Sequence, residues 1–565
     1  MSVPQAETPM MRQFNAIKRE HPDKLLFYRM GDFYEMFGDD AIVGAEILQI
    51  ALTSRDKKKK NSLPMCGVPY KAYEQYLNKL TAAGYKVAIC EQLEDPATAK
   101  GIVKRGVTRI VTPGTLIDES LLEESASNLL AAVSSHEDNA VIATTEISTG
   151  TFKCHACKLN RLSDFFERLN ISEILVSEED QIVINAATRM GISLTMRPPW
   201  IFDAQEGTNR LCKQFNVQTV EGFGLKNNDA TCGIAGALLA YIQDTQAHEN
   251  KITHLQPPKI EETNSFVLMD STTIRSLEIE QTLRGHCVEG SLLGIMQQCK
   301  TPMGKRLLRE WLCSPLAQKN AIEERQKVVD VLFENSELFN LIQTHLEQIQ
   351  DIARIIGRVA MDRATPRDIV ALGQSLNACN HLKQTLESDK AFVTFKNSLE
   401  TFDNILNELS TAILFQCVEQ PPAHLRAGGL FKNGVDRELD LARELQSDAG
   451  NWLANYQMKL MEETGINTLK VGFNKVFGYY IEVTHAQTNR VPNNFSRKQT
   501  LKNAERYITP ELKEFEHKIL NAESDAINRE QVLFKLLCQT IVSHIEAISL
   551  TAHIVAKIDV LANFA

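Results

Sequence analysis

Long hydrophobic runs are missing from this 565-residue sequence, and their absence argues against a membrane protein. No stretch approaches the roughly 18 uninterrupted apolar residues of a membrane-spanning helix. The N-terminus, Met1-Ser-Val-Pro-Gln-Ala-Glu7, lacks the basic region followed by an apolar stretch that marks a signal peptide. We therefore expect a cytoplasmic protein with no membrane partner.

Cysteines in metal-binding spacings are also scarce. The twelve cysteines are scattered, and most lie in apolar runs, as buried and reduced cysteines do in cytoplasmic proteins. Cys154 and Cys157 have CxxC spacing, but a zinc site usually needs a second pair or two suitably spaced histidines. We expect no metal site.

A phosphate-binding loop is the third missing feature. The sequence contains no Gly-x-x-x-x-Gly-Lys-Ser/Thr motif. Arg306 follows Gly304-Lys305 where the motif needs a hydroxyl, and Val435 follows Gly434 where it needs a lysine. We expect no cofactor and no ATP hydrolysis from these residues, and we leave the question of enzymatic activity open.

The charge distribution is uneven. The net charge of −10 argues against a DNA-binding protein, because such a protein must neutralise phosphates. Residues 1–112, however, carry 17 Lys and Arg against 13 Asp and Glu, and residues 470–506 carry 7 against 2. The sequence thus has two basic segments in an acidic body, although charge alone fits solvated surfaces equally well.

The apolar spacing predicts a multidomain protein that combines α/β and all-α parts. Strand-like and helix-like segments alternate over residues 1–112 and again over 116–262. Helical spacing dominates residues 264–440, and a hairpin is predicted within residues 468–484. A heptad stripe predicts a long helix from residue 510 to about 545.

The segment from Phe27 to Phe37 is the most informative one. Gly31-Asp32 is suited to a turn between two alternating runs. In a strand after that turn, Phe33 and Glu35 point to one face. An exposed Phe can wedge into a base step of DNA, and a neighbouring Glu can hydrogen-bond a base. A half-buried structural strand is the ordinary alternative.

Several motifs in order carry a resemblance that covers nearly the whole chain. Met30-Gly-Asp-Phe-Tyr-Glu35 resembles the Phe-x-Glu mismatch-reading motif of the MutS family. The first 115 residues contain further matches, namely Thr8-Pro-Met-Met11, Leu63-Pro-Met-Cys-Gly-Val-Pro-Tyr70, Cys90-Glu-Gln-Leu-Glu-Asp-Pro96 and Arg109-Ile-Val-Thr-Pro-Gly-Thr115. Others lie near the C-terminus, namely Leu469-Lys-Val-Gly-Phe-Asn474, Gly478-Tyr-Tyr-Ile481 and Gln499-Thr-Leu-Lys-Asn-Ala-Glu-Arg-Tyr507.

The resemblance implies a domain order. It comprises an α/β mismatch-binding domain over residues 1–112, a ribonuclease-H-like α/β connector over 113–263, and a helical core and lever domain over 264–440 and 501–565. A β-rich clamp over residues 441–500 interrupts the helical domain. The family's ATPase is expected beyond Ala565, so ATP and magnesium are expected only with that segment.

The resemblance also implies site residues. Phe33 would stack on the mispaired base and Glu35 would hydrogen-bond it, with Met30 and Arg55 supporting the site. Phosphate contacts are expected from two groups of residues, Lys57 and Lys58 near the N-terminus, and Lys470, Lys475, Asn493, Asn494, Arg497 and Lys498 in the clamp.

The implied function is the recognition of mismatched or unpaired bases in double-stranded DNA, which initiates mismatch repair. The implied partners are mismatched duplex DNA, a MutL-type protein and a second copy of the chain, in a nucleoid-associated location. One alternative is a clamp on branched DNA that does not read mismatches. Another is a metal-dependent nuclease with Glu146 in its site, for which the sequence offers no partner carboxylates.

Overall fold

A computed structural model of the chain describes residues 8–54, 63–94, 101–246, 252–261, 265–387, 389–401, 403–474 and 478–565. The chain divides into two compact units. One comprises Met1–Arg363, Ser375–Asn407 and Val542–Ala565, and the other comprises Ala364–Gln374 and Glu408–Ile541. Among the described helices, none is long and apolar enough to cross a bilayer.

The first sheet lies in the N-terminal part of the first unit. In chain order the elements are α1 (Pro9–Glu20), β1 (Leu25–Met30), β2 (Phe33–Phe37), α2 (Asp39–Leu48), β3 (Thr53–Ser54), β4 (Pro64–Pro69), α3 (Tyr73–Ala82), β5 (Val87–Gln92) and β6 (Arg105–Val111). The strands lie in the sheet in the order β3-β4-β2-β1-β5-β6. Among the described strand pairs of this sheet, only β1–β5 is parallel.

The two faces of the first sheet are covered unequally. One face packs on α2 and α3 around Phe27, Tyr34 and Met36. The other face packs on α1, whose Phe14 lies in a cluster with Phe37. Helix α1 forms where it does because Thr8 caps it and Pro9 occupies its first turn. Helix α1 covers only part of this second face.

The second sheet is mixed. In chain order its elements are β7 (Leu129–His136), β8 (Asn139–Glu146), β9 (Thr151–Lys158), α4 (Leu162–Leu169), β10 (Ile171–Ser177), α5 (Gln181–Arg189), β11 (Ser193–Arg197), α6 (Ala204–Phe215), α7 (Ala230–Gln246) and β12 (Lys259–Ile260). The strand order is β11-β10-β7-β8-β9-β12, in which β7, β8 and β9 form an antiparallel meander and the other pairs are parallel.

A buried carboxylate joins the first two sheets. Glu173 is fully buried and accepts hydrogen bonds from the Thr112 hydroxyl, the Gly114 N–H and the Tyr241 hydroxyl. The Nζ atom of Lys86 lies 3.8 Å from the same carboxylate. A Cβ on Gly114 would lie 2.8 Å from that of Glu173, so the turn after β6 requires glycine there.

The helical region supplies the rest of the first unit and part of the second. Its helices are α8 (Ser271–Ser276), α9 (Leu292–Met296), α10 (Pro302–Cys313), α11 (Lys319–Glu334), α12 (Ser336–Leu346), α13 (Ile352–Ala360), α14 (Pro366–Leu386), α15 (Val393–Glu400), α16 (Asp403–Gln416), α17 (Arg437–Thr464), α18 (Pro510–Ser543) and α19 (Ile545–Phe564). Helix α19 is buried along most of its length and packs on α10 and α13.

The third sheet lies in the second unit between α17 and α18. It is antiparallel, with the order β13-β14-β16-β15, and consists of β13 (Lys470–Asn474), β14 (Gly478–Thr484), β15 (Ser496–Thr500) and β16 (Ala504–Ile508). One face packs on both helices, where the rings of Trp452 and Phe515 stack at 3.6 Å. The sheet thus terminates a pair of long helices.

The predicted combination of α/β and all-α parts is confirmed by this architecture. The predicted hairpin and the long helix from residue 510 are also present. Helix α2 ends at Leu48, where Gln49 adopts a left-handed conformation. The expected clamp boundary at residue 500 falls between two strands that pair with each other, since β16 continues the sheet to Ile508.

Candidate nucleic-acid interface

The hairpin of β1 and β2 positions the candidate mismatch site. Met30 pairs with Phe33 and Tyr28 pairs with Glu35 across the hairpin. Gly31 has φ +58°, a left-handed conformation that glycine adopts without a steric penalty. The predicted Gly31-Asp32 turn is therefore present. It fixes the register, and the register decides which side chains of β2 share a face.

Phe33 lies on the uncovered part of the second face. Tyr34 and Met36 point into the core, whereas Phe33 is 47% exposed and Glu35 is partly buried. Phe37 shares the face of Phe33 and Glu35 by strand alternation, but it is buried because the ring of Phe14 packs against it at 5.0 Å. Helix α1 thus covers one end of this face and leaves Phe33 accessible.

Polar side chains also surround Tyr28, which pairs with Glu35 across the hairpin. The Tyr28 hydroxyl donates to Oε1 of Gln13 at 2.6 Å. The guanidinium of Arg105 lies 5.1 Å from the Tyr28 ring centroid, and its Nε donates to the Arg29 carbonyl at 2.7 Å. The sequence predictions missed Gln13 and Arg105, because Gln13 comes here through the packing of α1 on the sheet and Arg105 through the pairing of β6 with β5.

Gly67 leaves open space next to Glu35. It is the partner of Glu35 on β4, and a Cβ there would lie 3.2 Å from the Tyr34 carbonyl and 3.5 Å from Cγ of Glu35. A side chain at this position would therefore press on the Tyr34 carbonyl, directly before Glu35 in β2, and would contact the Glu35 side chain. Gly67 belongs to the resembling segment of residues 63–70, which was the available signal for it, although the spacing assigned it no role.

The opposite side of β2 holds the strand rigidly. The Tyr34 hydroxyl hydrogen-bonds Glu91, and burial together with Glu91 raises the pKa of Tyr34. Its ring contacts those of Tyr70 and Tyr73, and the Arg29 guanidinium stacks 3.2 Å from the Tyr70 ring centroid. Phe33 therefore projects from a strand whose other side is fixed by aromatic packing.

The predicted supporting residues have different outcomes. Met30 is partly buried next to Phe33 and packs against the cluster that contains Phe37. Three of the residues predicted near the N-terminal site, Arg55, Lys57 and Lys58, lie outside the described residues. The structure therefore brings together Met30, Phe33 and Glu35.

The third sheet carries the other candidate contacts. Lys470 is exposed on β13 opposite Glu482, and Asn493 and Asn494 form an exposed turn before β15. Arg497 and Lys498 are also exposed, with Arg497 3.5 Å from the Glu505 carboxylate. Lys475 lies outside the described residues.

The face of the third sheet that does not pack on the helices carries a network of polar side chains around Tyr480. Gly472 lies under the Tyr480 ring, since a Cβ on it would meet that ring at 3.0 Å. The Arg506 guanidinium lies 3.9 Å from the Tyr480 centroid and donates to Glu482 and Gln499 at 3.1 Å. The sequence predictions missed this network, which depends on pairing between β14, β15 and β16.

Glu146, the residue considered for a nuclease site, is a buried ion-pair partner. Its carboxylate lies 3.2 Å from Nη2 of Arg354 and accepts hydrogen bonds from the Ser148 hydroxyl and the Asn128 N–H. Among the described residues, no group of three or more His, Cys, Asp and Glu side chains is arranged to hold a metal. The arrangement around Glu146 is that of a link between β8 and α13.

Comparisons with known proteins agree with this architecture. The chain matches the family models for MutS domain I over residues 8–120, MutS domain II over 128–256 and MutS domain III over 272–565. It is 41% identical over 581 aligned positions to the DNA mismatch repair protein MutS of Rhodopirellula baltica, and 39% identical over 562 to that of Halothermothrix orenii.

The alignments cover 99% of this chain but 64% and 62% of those two relatives. The chain therefore spans less than two thirds of the length of the relatives it matches. The match to domain III alone includes more than half of its residues. The chain belongs to the MutS family.

Proposed function

We propose that this chain recognises mispaired or unpaired bases in duplex DNA, as an early step of mismatch repair, and that Phe33 is the residue that probes the base stack. The observation that carries the proposal is the 47% exposure of Phe33 on a strand whose neighbouring side chains, Tyr34 and Met36, are buried. The function in the relatives' names, DNA mismatch repair, supports it.

An exposed ring on a rigid strand suits a wedge. Inserting an apolar side chain between base pairs unstacks them and kinks the duplex. That deformation costs least where pairing is already faulty, so Phe33 would select by deformability rather than by sequence. The packing of Tyr34 on Tyr70 and Tyr73 keeps the strand from yielding when the ring enters the stack.

Glu35 gives the site its second element. Its carboxylate lies on the same face as Phe33 and can accept a hydrogen bond from an extruded base. The same charge repels the phosphates of intact duplex DNA, which lowers affinity for the wrong target. Glu35 thus contributes to the difference between mismatched and paired DNA, while Met30 supports Phe33, its partner across the hairpin.

The exposed cations of the third sheet would contact the DNA backbone. Lys470, Arg497 and Lys498 are exposed on this sheet, and Asn493 and Asn494 add amide donors. Phosphate contacts position a protein without reading sequence, which suits a protein that must scan any DNA. We extend the same proposal to Lys57, Lys58 and Lys475, and we propose that Arg55 supports the mismatch site together with Met30.

Other properties belong to the proposal for the longer protein. By resemblance, it would be a dimer, dock a MutL-type partner on the second sheet and associate with the nucleoid. ATP and magnesium would require residues beyond those available here, because the sequence has no phosphate-binding loop. We therefore assign no step of DNA recognition to ATP.

Competition binding tests the proposal. A duplex with one G·T pair competes with the fully paired duplex for the intact chain at about 0.15 M salt, since electrostatic affinity depends on ionic strength. We expect a preference for the G·T duplex, and a roughly tenfold or greater loss of that preference in Phe33→Ala, because base–aromatic stacking contributes about 1–3 kcal/mol.

Phe333→Ala is the matched control, since that ring is 76% exposed on α11 and should leave both affinities unchanged. Equal affinity of the native chain for both duplexes would contradict mismatch recognition by this chain and favour a clamp on branched DNA. Full discrimination by Phe33→Ala would place the reading site elsewhere.

A further inference from the structure

A cavity of about 210 Å³ lies between β9, α4 and the chain segment before α8. Its walls are mainly apolar and include Phe165, Phe266, Leu268 and Met269. None of the residues assigned to DNA contact lines it. Binding sites for drug-sized ligands span roughly 300–1,000 Å³, so this cavity suits a smaller molecule with one or two rings.

Three cationic side chains, Lys158, Arg161 and Arg168, also line the cavity. The Nε atom of Arg168 is buried and has no hydrogen-bond partner in the part of the chain that the structure describes. The same guanidinium lies 5.2 Å from the Phe165 ring centroid. A buried donor on a charged group is costly when it has no acceptor.

The two carboxylates of the cavity are engaged by other groups. Glu261 lies 3.3 Å from Nδ1 of His155 and 3.1 Å from Nζ of Lys153. Burial alone would raise the pKa of Glu261, but these two partners lower it to about 2. Asp164 accepts hydrogen bonds from the N–H and hydroxyl of Ser271. Neither carboxylate therefore neutralises Arg168.

We propose that this cavity binds a small organic anion, with its acidic group on the Arg168 guanidinium and its apolar body between Phe165 and Leu268. An acidic oxygen in the cavity accepts a charge-assisted hydrogen bond from the Arg168 guanidinium, and a bond of this kind is among the stronger ones. Lys158 and Arg161 at the cavity add attraction for the same charge. The ligand class is a carboxylate, sulfonate or phosphate ester on a ring-sized apolar group.

Two fluorescent probes test the charge requirement on the intact chain. One is 5-(dimethylamino)naphthalene-1-sulfonate, and the other is 1-(dimethylamino)naphthalene, which has the same two rings without the sulfonate. In Arg168→Met, which keeps the apolar stem, we expect about tenfold weaker binding of the sulfonated probe and unchanged binding of the neutral one. Arg189→Met, at an exposed position of α5, is the matched control and should bind both probes normally.

Cysteine alkylation locates the bound probe. Cys157 lines the cavity, and burial raises its pKa to about 11, so labelling is measured at a pH of about 9, where a larger fraction is thiolate. The sulfonated probe should slow alkylation of Cys157 in the native chain. Cys287, which is exposed and does not line the cavity, should react at the same rate with and without probe.

Leu268→Gln protects the test against misfolding of Arg168→Met, since Leu268 is 54% exposed and its change should weaken both probes. Equal affinity of the native chain and Arg168→Met for the sulfonated probe would overturn the proposal. Should Arg168→Met lack a cooperative thermal transition, unchanged binding by Leu268→Gln would overturn it. An alkylation rate of Cys157 that the probe leaves unaltered would do the same.

Discussion

The first and third sheets both leave part of a face uncovered, but they expose opposite chemistry. On the first sheet, α1 stops short of an apolar ring, Phe33, which stands beside one carboxylate. On the third sheet, the uncovered face is polar, and exposed cations such as Lys470 and Lys498 surround it. The difference is consistent with the proposed function, in which the first sheet would test the base stack and the third would hold the DNA backbone.

The packing behind each face explains why the two can differ. On the core face of the first sheet, Tyr34 holds β2 in place through its hydrogen bond with Glu91 and its ring contacts with two tyrosines. The third sheet is held by aromatic contacts to α17 and α18, including Tyr479 on Phe515 at 6.0 Å. In each sheet, one face thus packs against helices and stabilises the sheet, and at least part of the other face is exposed.

Neutralising the cations of the third sheet should produce the largest change. In the combined Lys470→Gln, Arg497→Gln and Lys498→Gln variant, we expect affinity to fall roughly 30-fold at about 0.15 M salt for both duplexes. The preference for the G·T duplex should be retained, because backbone contacts carry no base information. Titrations at several salt concentrations should also show a shallower dependence on salt.

A variant with the same change in net charge controls for non-specific attraction. Lys513, Lys518 and Lys535 are exposed on α18, and their replacement by Gln should alter affinity far less. An equal loss in both variants would show that overall charge matters rather than this sheet. A lost preference in the first variant would show that the third sheet also reads bases, which would break the comparison.

Phe33→Leu should produce the next largest effect, because it separates stacking from bulk. Leucine keeps an apolar side chain that can enter a base step, but it has no π-face for a base. We expect the preference for G·T over paired DNA to fall about fivefold, which corresponds to about 1 kcal/mol. The measurement is the ratio of the two dissociation constants. A ratio as low as that of Phe33→Ala would assign the whole effect to the aromatic ring.

Local sequence patterns predicted much of the candidate site. Gly31-Asp32 predicted the turn, and alternation along β2 predicted that Phe33 and Glu35 share a face. These features depend on neighbouring residues, so a pattern of a few positions contains them. The same holds for the hairpin of β13 and β14 and for the helix that begins at Pro510.

Features that depend on distant contacts were not predictable in this way. Arg105 reaches the site because β6 pairs with β5 and β5 with β1. Phe37 has the same alternation as Phe33 but is buried by Phe14, which no spacing within β2 reveals. The end of the third sheet at Ile508 likewise depends on its pairing with β14 and β15.

Glu35→Gln should have a smaller effect of a different kind. Loss of the negative charge should raise affinity for both duplexes, and more for paired DNA, whose phosphates the carboxylate repels. We expect the preference to fall about threefold, or about 0.7 kcal/mol, within the range for the net contribution of one typical hydrogen bond. The quantity to measure is each affinity separately, since Phe33 variants should lower affinity for the G·T duplex instead. A fall in both affinities would contradict a repulsive role for Glu35.

Gly67→Ala should have the smallest effect, and it tests how closely the first sheet must hold Glu35. The new Cβ would lie 3.2 Å from the Tyr34 carbonyl, which must shift by a few tenths of an ångström, and at an ordinary contact distance of 3.5 Å from Cγ of Glu35. We expect about a twofold loss of preference for the G·T duplex, since crowding of this size is a mild form of overpacking. Gly222→Ala, where a Cβ meets nothing within 4 Å, is the control for the change itself.

If Gly67→Ala had no effect while Glu35→Gln did, the charge of Glu35 would matter and its position would not. Loss of preference as large as that of Phe33→Ala would instead mean that the backbone between β2 and β4 sets the position of the wedge.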